Sequence, residues 1–134
     1  MKLRPVKSVP HPSAFATAIA IIADESKMLV CENVEKTLEL PGLVIASKMK
    51  ALQSLEVLIE ELDVADQPQQ TLYLSNFTMD ETQKKPVTVI VRIVQMEKAE
   101  VPSSLGGQFL SLTKLRMQQQ ASPLVRTVAH WMSD

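Results

Sequence analysis

Ten consecutive residues, Ala14–Ala23, carry no charge and one hydroxyl, that of Thr17. This run limits the available folds more than any other feature of the chain. It is well short of the ~20 apolar residues a membrane-spanning helix needs, so the protein itself must cover it. A strand with one wet face alternates polar and apolar side chains; this run does not, and read as a strand it needs cover on both faces. Its alanines leave a helix open as a second reading. Asp24-Glu25-Ser26 then has turn chemistry, and Lys27–Glu32 reads as the returning strand of a hairpin.

Two layers of cover call for helices, and the pattern supplies them. Between residues 49 and 62 the apolar side chains fall at 51, 52, 55, 58, 59 and 62, which at ~100° per residue form one broad arc. Near the C-terminus, Ser122-Pro123 offers an N-cap followed by an N1 proline. Leu124, Val125, Val128, Ala129 and Met132 then share one face, with Trp131 at its margin. The remaining elements read as strands: Thr37–Leu40, a Gly-poor aliphatic segment from Leu43, Thr71–Phe77, the β-branched Val87–Gln95, and Gln108–Leu112. Gln67–Gln70, Asp80–Pro86 and Val101–Gly107 read as connectors. The order is α+β, with helices covering a mixed sheet.

At 134 residues, 46% hydrophobic and 22% charged, the chain has the size and composition of one globular domain. Three prolines among residues 1–13 suggest an extended N-terminal arm before a single domain over residues 14–134. The basic start Lys2, Arg4, Lys7 is interrupted by Pro5, Pro10 and Pro12 and is a poor signal peptide. A formal net charge of −1 gives no basic excess to attract nucleic acid or an anionic membrane. The single Cys31 excludes an internal disulfide and fits a reducing compartment. The expectation is a soluble cytoplasmic protein. His11, Cys31 and the Lys84-Lys85 turn have bland readings as a surface residue, a small buried hydrophobe and a solvated loop.

One stretch carries a chemical pattern. Leu38-Glu39-Leu40-Pro41-Gly42 precedes the first helix, and Glu56, Glu60 and Glu61 lie on the helix side opposite its apolar arc, spread over roughly 140°. Together these resemble a degenerate form of the box of the Nudix (MutT-like) hydrolases: glycine, five residues, glutamate, seven residues, Arg-Glu, an aliphatic, any residue, Glu-Glu, any residue, glycine, an aliphatic. Counted from Gly42, Lys48 stands at the first glutamate, Glu56-Val57 at Arg-Glu, and Leu58 at the aliphatic position. Glu60-Glu61 fall on the acidic pair, Asp63 on the second glycine and Val64 on the last aliphatic. The element order is similar to the same family along nearly the whole chain.

The resemblance implies a Nudix-like mixed β-sheet packed between helices, an α/β/α sandwich. It implies chemistry on nucleoside diphosphate derivatives with Mg²⁺ or Mn²⁺, because hard divalent cations want several converging carboxylate oxygens. Glu60 and Glu61 are then the catalytic and metal-binding candidates, with Glu56 as a substitute third ligand. Lys48 is a candidate to neutralise the acidic face, and Glu97 and Glu100 are the first acids to consider as general base. Val57, where a metal glutamate would stand, and the Gly-poor loop argue for weak or absent hydrolysis. Three roles follow: a non-hydrolytic binder of a nucleotide or nucleoside diphosphate derivative, an active hydrolase with a divergent site, or a protein-interaction module, homodimeric or otherwise.

Overall fold

The computed structural model describes residues 15–79, 86–101 and 105–133. Its elements are β1 (Phe15–Ala23), β2 (Lys27–Glu32), β3 (Leu38–Glu39), β4 (Val44–Ala46), α1 (Lys48–Glu61), β5 (Gln69–Phe77), β6 (Val87–Met96), β7 (Gln108–Ser111), α2 (Leu112–Leu115) and α3 (Pro123–Met132). The architecture is α+β: a mixed sheet with helices on both faces.

The uncharged run forms β1, and it is central. β6 pairs with it in parallel along its whole length, from Phe15↔Thr88 to Ala23↔Met96. Its other edge is shared, β2 meeting it at Ile22 and Ala23 and β4 at Phe15–Thr17, both antiparallel. The sheet order is β3-β2-β1-β6-β5, with β7 on β2. Alternation along β1 divides the core. Ala16, Ala18, Ala20 and Ile22 pack with Val89, Val91 and Ile93 beneath α2 and α3. Ile19 and Ile21 pack with Leu29, Val94 and the helical Leu55 and Ile59 on the α1 face. This is the double cover that a strand without a polar face requires.

Thr17 is fully buried, and its hydroxyl donates to the Ala51 carbonyl of α1 at 3.2 Å. The bond satisfies a buried polar group and ties the first turn of α1 to the sheet. Small alanines at positions 16, 18 and 20 keep the opposite face flat enough for α3, whose Leu124, Val125, Val128 and Ala129 are buried. Ser122 caps α3 by accepting from the Val125 amide at 3.2 Å, and Pro123 follows at the first position.

One expectation is met and two need correction. The hairpin turn forms, with Asp24 and Glu25 both at positive φ, but β2 leaves β1 after two residue pairs, so β4 completes that edge. Gln69 and Gln70 belong to β5, paired with Val94 and Ile93, rather than to a connector. Leu112 ends no strand; it opens α2, where its side chain is buried. The N-terminal arm, His11 and Lys84-Lys85 lie outside the described residues.

Candidate functional site

The box-like stretch is held by two backbone positions. Gly42 has φ 73°, which favours glycine by conformation, and a Cβ there would also require the tip of the Leu58 side chain of α1 to shift. At the other end, Asp63 has φ 58°. Its amide donates to Glu60 O at 3.1 Å and the Val64 amide to Ile59 O at 3.3 Å, the two bonds of a Schellman closure. Val64 and Ile59 share the same core cluster, which supplies the hydrophobic contact that accompanies this motif. Asp63 therefore adopts the left-handed conformation for which glycine is the default, at a position where the family pattern has one.

A cleft of about 580 Å³ opens beside this helix, lined by Gly42, Val44, Lys50, Gln53, Ser54, Val57, Leu58 and Glu61. Residues 50, 53, 54, 57 and 61 follow helical spacing, so one face of α1 forms the wall. Of the three acidic candidates, Glu61 is on it. Glu60 is exposed and outside the lining. The Glu56 carboxylate lies 3.3 Å from the Arg92 guanidinium on β6, and Arg92 also donates to Gln69 Oε1 at 3.2 Å. The acidic sector thus divides between the sheet, solvent and the cleft. Val57 is 53% exposed and sits in the cleft wall one turn before Glu61.

Lys48 is far from the acidic pair. It begins α1, twelve residues from Glu60 and so about 18 Å away along the axis. Its Nζ lies 5.9 Å from the Phe15 ring centroid. Neutralisation of the acidic face by Lys48 is therefore not the arrangement observed. Lys50 is the cation of the cleft, as its helical register with Val57 and Glu61 could have indicated. Glu97 is exposed and lines a separate cavity with Asp24 and Glu25; Glu100 is exposed and outside the cleft lining.

A divalent metal needs at least three converging hard donors on the protein or its substrate. Among the described residues, no group of three or more His, Cys, Asp or Glu side chains is placed to hold one. One carboxylate, one ammonium and an apolar floor do not fit a dedicated Mg²⁺ or Mn²⁺ site.

On the other side of β4 lies a second cavity of about 420 Å³, whose walls include Leu43, Ile45, Glu39, Met79, Ser122 and Arg126. The alternation of β4 separates the two, Val44 facing one cavity and Ile45 the other. Glu39 accepts from the Ser122 hydroxyl at 2.8 Å and from the Leu40 amide at 3.2 Å. Burial nevertheless raises its carboxyl above the usual 4.5, outweighing those two bonds. Cys31 is half-buried, donates to the Gly106 carbonyl at 3.2 Å, and has its thiol pushed up by burial, which opposes a nucleophilic role.

Neither a protein-family model nor a curated protein matches the sequence. Solved structures do. DR0079 from Deinococcus radiodurans aligns over 99% of this chain and 91% of its own, with a TM-score of 0.59 at 10% identity. SMa0793 from Sinorhizobium meliloti aligns over 95% of this chain and 41% of its own, with a TM-score of 0.53 at 14% identity. A Clostridium perfringens hydrolase of the NUDIX family aligns over 90% of this chain and 95% of its own, with a TM-score of 0.48 at 13% identity. At such identities the first two establish a shared fold and nothing finer.

Proposed function

We propose that this chain is a Nudix-type scaffold that binds a nucleotide or nucleoside diphosphate derivative in the α1 cleft and does not hydrolyse it efficiently. The observation that carries the reading is a contrast. Gly42 and Asp63, at both glycine positions of the pattern, keep positive φ, while Val57 and the Glu56–Arg92 pair leave no converging acidic set among the described residues. A frame kept without its ligands supports binding over turnover, since phosphoryl transfer depends on positioned charge.

Lys50 would meet a phosphate oxygen, Gln53 and Ser54 would supply polar contacts, and Val44, Val57 and Leu58 would take an apolar portion of the ligand. Titration calorimetry with ADP-ribose and other nucleoside diphosphate derivatives tests this directly. Saturable binding without added metal, weakened in Lys50→Glu, is expected; absence of binding across the panel contradicts it. A second reading, association with another protein, draws on Ile45 and Met49, which are 59% and 71% exposed at the β4–α1 junction. Sedimentation at rising concentration tests the case in which that protein is a second copy of this chain, because ligand binding alone leaves a monomer unchanged.

A further inference from the structure

Away from the α1 cleft, a cavity of about 390 Å³ lies against α3 beside the end of α2, lined by Arg116, Pro123, Arg126, Thr127 and His130. Among the described residues no carboxylate lines it. Arg126 and His130 are one helical turn apart, so both stand on the same side of α3, and Arg116 approaches from the C-cap of α2.

The two guanidinium groups are held differently. Arg116 Nη1 donates to the Ser133 hydroxyl at 3.0 Å, and that hydroxyl donates onward to the His130 carbonyl at 3.2 Å, so Arg116 is braced by the end of α3. The half-buried Arg126 forms no ion pair with a described residue, and its Nε is buried without a hydrogen-bond partner. A buried N–H without an acceptor is costly, and a cationic one more so. That Nε is closed to solvent, so a ligand in the cavity would meet the terminal Nη groups of Arg126 and not this atom.

We infer that this cavity binds the phosphate group of a small molecule. The planar N–H forks of two arginines match the oxygens of a tetrahedral anion, and Thr127 adds a hydroxyl. The volume exceeds that of orthophosphate and accommodates a phosphate monoester with a small polar body. None of these residues lines the α1 cleft, so the site stands or falls independently of the function proposed above.

The experiment is titration of the full chain with orthophosphate, glycerol 3-phosphate and acetate, followed by calorimetry and by the arginine Nε–H resonances in ¹H–¹⁵N spectra. Orthophosphate or the monoester is expected to bind saturably and to shift the Arg116 and Arg126 resonances. Arg116→Gln and Arg126→Gln should each weaken binding by at least about tenfold, Arg126→Lys less, and Lys98→Gln, exposed and outside both linings, not at all. Unmoved arginine resonances, or phosphate affinity unchanged in both Arg116→Gln and Arg126→Gln, would overturn the inference. Acetate binding as tightly as phosphate would overturn the phosphate assignment. Should Arg126→Gln fail to fold, Arg116→Gln and the wild-type resonances keep the test decisive.

Discussion

Arg92 on β6 reaches 3.3 Å to Glu56 on α1, and this contact commits to the sheet an acid that would otherwise be available beside the cleft. Stability is a minor part of what it does. Glu56 is 62% exposed at its side chain, so the pair is screened and worth ~1 kcal/mol or less. Arg92 Nε is buried without a partner, which subtracts from the gain. Arg92→Met, which keeps most of the packing volume, is expected to change unfolding free energy in urea by less than about 1 kcal/mol, with stabilisation an acceptable direction. A loss above about 3 kcal/mol would show that the pair is structural.

Gly42 and Asp63 have opposite expectations under substitution. Gly42→Ala places a Cβ at positive φ and into Leu58, and should destabilise by about 1–3 kcal/mol. Leu58→Ala introduced with it should show positive coupling in a double-mutant cycle, because the obstacle is a side chain. Asp63→Gly relieves a left-handed non-glycine residue and should raise the urea midpoint slightly, against the higher entropy of its unfolded chain.

Much of this arrangement was legible in the chain. The uncharged run predicted a doubly covered strand, the apolar arc predicted α1, and Ser122-Pro123 predicted the start of α3. Helical periodicity separates an apolar from a polar side but does not say which part of a broad polar sector a neighbouring strand will engage. That is why Glu56, Glu60 and Glu61 read as one group, although only Glu61 lines the cleft. Arg92 sits in an apolar run and gave no sign of its partner 36 residues away. The split partnership of β1 was equally hidden, because local turn chemistry at Asp24-Glu25 fixes a hairpin's tip and not how far its strands remain together.

Glu39 gives a pH prediction with a definite sign. Its carboxyl is raised by burial, so the folded state holds the proton more tightly than the unfolded chain. Its contribution to stability is fully present below 4.5 and is lost as pH rises from there through the folded value. Glu39→Gln keeps an acceptor for the Ser122 hydroxyl and cannot ionise. Urea unfolding from pH 4 to 7 should show the variant gaining on the wild type as pH rises; a parallel pair of curves would contradict the assignment.

Val57→Glu would place a second carboxylate one turn from Glu61 on the cleft wall. The two acids repel by a few tenths of a kcal/mol without a cation, and a divalent ion relieves that repulsion. Mg²⁺ titration is expected to detect tighter binding in the variant than in the parent. An unchanged titration would mean that the cleft's shape, and not only its missing acid, prevents metal binding.

The central claim is that the scaffold binds without efficient turnover. It is tested most directly by product release from a panel of nucleoside diphosphate derivatives, with Mg²⁺ and then Mn²⁺, run beside the Glu60→Gln/Glu61→Gln double variant. Background-level release, equal in both proteins, is the predicted result. Turnover in the parent that disappears in the double variant would contradict the account and make this chain a hydrolase with a rearranged metal site.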